Sequence, residues 1–95
     1  MHDILVTTPD YEIHVERPAD VNVVHILRLK MSKRSISELR KHNERLYQET
    51  ISESKGLWAG CPKNKPVIRR LAELLGYVKI AHNPEYDFLI FNKEH

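Results

Sequence analysis

The sequence predicts a single small α/β domain: a mixed, mostly antiparallel sheet of about five or six strands with two main helices. Three observations carry that expectation. Short alternating or β-branched segments occur before residue 30 and again after residue 76. Between them, residues 35–54 and 65–75 place apolar side chains at helical spacing. A length of 95 residues allows one modest core, and a chain of this size hides roughly 60 to 70% of the surface it exposes when unfolded.

Ile4 to Val6 is a short apolar run closed by Thr7-Thr8-Pro9-Asp10, where the proline stops the strand, and it reads as an edge strand. Tyr11 to Val15 alternates, with Tyr11, Ile13 and Val15 on one face and Glu12 and His14 on the other. Val21 to Leu29 is the longest strand candidate and is apolar on both faces near its middle, so it belongs at the centre. The short Pro-containing turns between these strands make an antiparallel meander the economical arrangement.

Ser35-Ile36-Ser37-Glu38 fits a capping box, and apolar residues at 36, 39, 46, 47 and 51 predict a helix to about Ser54, before Gly56. Leu57 to Ala59 follows as a short strand parallel to the central one, because a helical crossover separates them. In the second helix Asn64 is placed to cap, Pro66 lies in the first turn and Val67, Ile68, Leu71, Leu74 and Leu75 form the stripe. Gly76 supplies its left-handed end. Tyr77 to His82, a turn at Asn83-Pro84-Glu85 and Tyr86 to Phe91 complete the sheet.

Composition is that of an ordinary globular chain, 41% hydrophobic and 29% charged, and no apolar run approaches the ~20 residues that cross a bilayer. The N-terminal residues carry no leader signature, and a single cysteine excludes an intramolecular disulfide framework. A cytoplasmic setting follows as an expectation. The formal net charge is only +2, but it is unevenly spread. From Arg28 to Arg45 there are seven Lys/Arg against Glu38 and Glu44, whereas residues 1–20 carry five acids against Arg17.

The order Asn64, Val67, Ile68, Arg69, Leu75-Gly76-Tyr77, followed by one more strand, resembles the C-terminal motif of the GCN5-related N-acetyltransferases, N-x-x-A-x-x-x-Y-x-x-x-G-F. It is most similar to the short, divergent forms carried by podovirus-type bacteriophages. The resemblance implies a truncated acetyltransferase fold in which the strand before the motif splays from its neighbour and acetyl-CoA enters the gap. It implies cofactor contacts at Asn64 and at the turn Ser32, Lys33, Arg34 and Ser35, where the family has its pyrophosphate loop. That turn lacks the family's glycines, and the position of the family's tyrosine acid is Leu71. Both departures bear on catalysis. The expected activity is therefore either acyl-CoA-dependent N-acetyl transfer or, as the alternative, a non-catalytic binding module such as a phage accessory protein that inhibits a host or defence protein.

Arg40, Lys41, Arg45, Arg69 and Arg70 are the candidate partner-binding residues, suited to an acidic protein surface and more weakly to nucleic acid. An apolar face left bare by the absence of the family's two N-terminal helices makes a homodimer a further expectation. Cys61, near Lys63 and Lys65, has the setting of a nucleophile, but a lone cysteine is more often packing. The six histidines, His2 and His95 terminal and the rest scattered, show no metal-ligand spacing. His25, in an apolar strand, reads as a satisfied core histidine.

Overall fold

The computed structural model describes residues 2–92. Along the chain it forms β1 (His2–Thr7), β2 (Tyr11–Glu16), β3 (Val21–Leu29), α1 (Lys33–Ser52), β4 (Gly56–Pro62), α2 (Pro66–Leu75), β5 (Tyr77–His82) and β6 (Tyr86–Phe91). All six strands join one mixed sheet in the order β1-β2-β3-β4-β6-β5. Only the β3–β4 pair is parallel, joined by the α1 crossover. The expected α/β sheet with two helices is the architecture observed.

Local chemistry fixes the turns. Thr8 Oγ1 accepts from the backbone N–H of Asp10 and Tyr11, closing β1 onto β2. Asn83 Oδ1 accepts from Glu85 and Tyr86, an Asx turn that sets the β5–β6 hairpin. Gly76 ends α2 at φ 106°, a left-handed conformation that a side chain would strain, and an added Cβ would also stand 3.3 Å from the Phe91 ring.

Both helices lie on one face. Tyr11, Ile13 and Val15 of β2, Leu57, Ala59 and Cys61 of β4, and Leu89 of β6 meet Leu39 and Leu46 of α1 and Ile68, Leu71 and Ala72 of α2. Val15, Leu71 and Leu89 are fully enclosed, and each such side chain contributes about 1.5–3 kcal/mol by leaving water. Polar ties fix the helix layer on the sheet. The buried Asn22 amide donates to Thr50 Oγ1 at 2.9 Å and to Glu53 Oε1 at 3.0 Å, holding the end of α1 against β3. The Tyr77 hydroxyl donates to Asn43 Oδ1, holding the middle of α1 against β5.

Alternation then sends Glu12, His14 and Glu16 of β2, Val21, Val23 and His25 of β3, Trp58 of β4, and Tyr86, Phe88 and Ile90 of β6 to the other face. No element of the described chain covers that side. Nor is any helix long and apolar enough to cross a membrane.

Candidate functional site

The β3–β4 ladder registers Val21–Val24 against Gly56–Ala59 and ends there, although β3 continues to Leu29 and β4 to Pro62. Past the last rung, the two strands form a fork. α1 starts just beyond the open end of β3 and α2 just beyond that of β4, so both helix N-termini lie at the same edge of the sheet. Lys65, the residue that opens α2, sends its Nζ to within 3.5 Å of the Leu27 carbonyl on the other prong.

Behind the fork, between sheet and helices, lies an apolar cavity of about 40 Å³, walled by Val24, Ile26, Ala59, Cys61, Leu39 and Ile68 among others. That volume admits one or two small groups rather than a whole ligand. Its polar lining comes from His42, Asn43 and Tyr77. His42 also faces a shallow outer depression with Tyr11, Glu38 and Arg45. There the Tyr11 hydroxyl donates to Glu38 Oε1 at 2.8 Å, and Arg34 donates to the other Glu38 oxygen at 3.2 Å. Burial and the Glu38 carboxylate push the Tyr11 phenol up to about 12. The Tyr11 hydrogen bond and Arg34 hold Glu38 below the usual carboxylate range. Burial and the neighbouring Arg45, 2.6 Å from His42 Nδ1, lower the His42 imidazole.

The expected cofactor residues fall into two groups. Lys33 and Arg34 are exposed at the start of α1. Ser32 and Ser35 are occupied by each other: Ser32 Oγ accepts from the Ser35 N–H at 3.0 Å, while Ser35 Oγ accepts from the Ser32 N–H and donates to the Lys30 carbonyl, both at 2.9 Å. Ser35 is buried. The capping box therefore sits one turn earlier than the Ser35–Glu38 box expected from the sequence, with Ser32 as N-cap. Glu38 is engaged by Tyr11 and Arg34 instead of by the backbone.

Asn64 does not cap α2. The cap position is Lys65, with no side-chain hydrogen bond, and Asn64 is exposed beside Pro62, Lys63, Pro84 and Glu85. Pro66 at the first helical position removes one of the donors an Asn64 cap would have served.

The expected basic surface also divides. Arg40, Lys41 and Arg70 are exposed, and Arg45 reaches back to His42. Arg69 turns inward to Asp87 Oδ2 at 3.0 Å and lies 3.7 Å from Glu73, so it belongs to an internal ion cluster rather than to the outer patch. Lys79 Nζ completes that cluster, 3.3 Å from Asp87 Oδ1. Burial raises the Asp87 carboxyl, but hydrogen bonds and charge from Lys79 and Arg69 outweigh it and hold the pKa down.

Cys61 is 1% exposed, and burial pushes its thiol up to about 11. It is a core residue with no thiolate character at neutral pH. Among the described residues no three potential metal ligands gather, and His95 lies outside them.

The sequence reading missed the floor of the open face. The Trp58 indole lies across Gly56, and the His25 ring lies across Gly60. Phe88 is 6.4 Å from Trp58 and stacked on Tyr86 at 6.1 Å, and Tyr86 meets the His25 ring edgewise at 6.4 Å. His25 Nε2 is 3.2 Å from Glu16 Oε1. The histidine is satisfied, as expected, but on the open face rather than in the helix-covered core. The Gly56-x-Trp58-x-Gly60 spacing was the available signal, since glycines two residues to either side of Trp58 on the same strand face leave room for rings.

No family model, curated protein or solved structure matches the chain.

Proposed function

We propose that this chain is an acetyltransferase-like domain that takes an acyl-CoA thioester at the β3–β4 fork. One observation carries the reading: the only parallel pair in the sheet separates after Val24 and Ala59, and it opens toward two helix N-termini. Ligands of open α/β sheets bind beyond the carboxyl ends of parallel strands, where helix N–H groups and dipoles favour phosphate.

Under this reading the exposed Lys33 and Arg34 and the fork-spanning Lys65 meet the phosphates. With Ser32 and Ser35 tied to each other, the phosphate contacts rest on charge and backbone rather than on hydroxyls. The narrow apolar cavity suits an acyl group. In transfer, an acceptor amine would attack the thioester carbonyl, the C–S bond would break and the departing thiolate would need a proton. Leu71 holds the position the resemblance assigns to that acid, fully buried in the core. Binding is thus better supported than rapid turnover.

Calorimetric titration with acetyl-CoA tests the proposal. The expected result is saturable micromolar binding, weakened about tenfold by Lys33→Ala with Arg34→Ala and little changed by Asn64→Ala. Absence of heat at millimolar ligand would overturn it.

A second reading, a binding module without catalysis, draws on a different observation: the aromatic, uncharged floor on the uncovered face of the sheet.

A further inference from the structure

We propose that the open face of the sheet is the interface of a homodimer, in which Trp58, Phe88, Ile90 and Val78 of one copy pack against the same residues of a second. The inference is independent of the fork, which lies at the strand ends, and does not rest on cofactor binding.

The face is divided by chemistry. The paired row Val23–Trp58–Ile90–Val78 crosses four strands without a charge. The next row adds His25, Gly60, Phe88 and Ala81, and Tyr86 closes the aromatic ring. A sheet face meant for water alternates to polar side chains, and these strands do not. Val78 is 37% exposed and Ile80 47%. The Trp58 and His25 rings stand over Gly56 and Gly60, and the inclined Trp58, Phe88 and Tyr86 rings present ridges into which a second sheet, packed about 10 Å away, can interdigitate.

The size fits a dimer. The uncharged patch on four strands, at about 4.8 Å spacing and about 3.3 Å per residue, measures roughly 19 by 20 Å, or about 380 Å²; with the charged rim of the other two strands the face reaches about 600 Å² before side-chain relief is counted. Specific interfaces bury about 600 to 1,000 Å² on each partner, so this face, core and rim together, suits a small, concentration-dependent dimer.

Charge selects the occupant. Among the described side chains, the charged strip on this face is Glu12, His14 and Glu16 with Arg28, and each carboxylate in it has a partner within the chain. His14 is 2.8 Å and Arg28 3.7 Å from Glu12, and Glu16 is 3.2 Å from His25. A nucleic acid stacking on the aromatic rings would run beside two carboxylates and find its cations elsewhere, at the helix starts. An uncharged patch bordered by balanced charges is complementary to itself, which is the condition a two-fold interface imposes.

The test is sedimentation of the whole chain, without acyl-CoA, from low micromolar to several hundred micromolar. A concentration-dependent dimer is expected, with Trp58, the only tryptophan, shielded from iodide quenching as the dimer forms. Ile90→Lys and Val78→Lys should each weaken association roughly a hundredfold or more, because every dimer carries the substitution twice. Arg40→Glu with Lys41→Glu, on the helix layer, should leave it unchanged. Val78 is on the exterior strand β5, so Val78→Lys keeps the test usable if Ile90→Lys fails to fold, with far-UV circular dichroism as the check on folding. A monomer at every concentration would overturn the proposal. So would a dimer that survives both lysine variants, or a monomer whose Trp58 is quenched by a single-stranded oligonucleotide, which would assign the floor to nucleic acid.

Discussion

Gly60 is the first β4 residue past the last rung of the parallel ladder, and Gly60→Ala is the substitution whose outcome the structure specifies most closely. A Cβ at this position would stand 2.8 Å from His25 Cε1, 3.0 Å from Nδ1 and 3.6 Å from Val23 Cγ1. The backbone there is not left-handed, so alanine carries no conformational strain, and by restricting the unfolded chain it would stabilise by about 0.4–1 kcal/mol. The contact with His25 works the other way. Its ring is held between Glu16 and Tyr86, and forcing an extra methyl against a fixed group costs about 1–3 kcal/mol. Net destabilisation of about 1–2 kcal/mol follows. In a His25→Ala background only the ordinary Val23 contact remains, and the same change should become neutral or stabilising. Urea denaturation followed by far-UV circular dichroism measures both. With a slope near 1 kcal/mol per M, the midpoint of Gly60→Ala should drop by roughly 1–2 M in the parent and should not drop in the His25→Ala chain. A midpoint that rises in the parent, or shifts equally in the two backgrounds, would refute the account of His25 as a ring fixed on the glycine.

Three further predictions rest on separate features. Replacing Asn22 by Ala removes the buried tie to Thr50 and Glu53; the expected loss is about 2 kcal/mol, or roughly 8–16 °C in thermal midpoint, and an unchanged midpoint would contradict the assigned role. Tyr11 has its phenol raised from 10.0 to about 12 in the folded chain, so its contribution is fully present below pH 10 and is lost as pH rises toward 12. Stability measured across that window should fall, and Tyr11→Phe should flatten part of the decline, the buried Tyr77, also raised, supplying the remainder. Cys61, buried with its thiol pushed up to about 11, should resist a thiol reagent at pH 8 in the native protein and react promptly in urea; rapid labelling without denaturant would mean that the β4 core opens far more readily than its packing implies.

The order of the elements was legible because each carries its own local signal: the Tyr11–Val15 alternation, the helical stripe ending at Gly76, and the Asn83-Pro84 turn all produced the expected structures. Boundaries shifted where a side chain had a choice. Ser32 and Ser35 close on each other, which moves the start of α1 ahead of the Ser35–Glu38 box, and β4 extends to Gly56–Pro62 because β6 pairs along its far half. The site was less legible, because its groups are brought together by distant pairing. Arg69 reads as surface charge on a helix until β6 places Asp87 beside it, and Glu38 reads as a cap until β2 presents Tyr11. Neither the aromatic floor nor the end of the parallel ladder could be read without register, which no local pattern encodes.

The strand order has a consequence for how the molecule is made. β6 is the last strand in sequence, yet it lies between β4 and β5. β5 has no other neighbour in the sheet, so it cannot join until residues 86–91 have left the ribosome and slotted in beside β4. Until then the nascent chain can assemble the β1–β3 meander with α1 and β4, while α2 and β5 wait, their inward side chains Ile68 and Tyr77 lacking the Leu89 and Phe91 they will pack with. The sheet is closed from its interior, and the last strand made carries one of the most deeply enclosed side chains, Leu89.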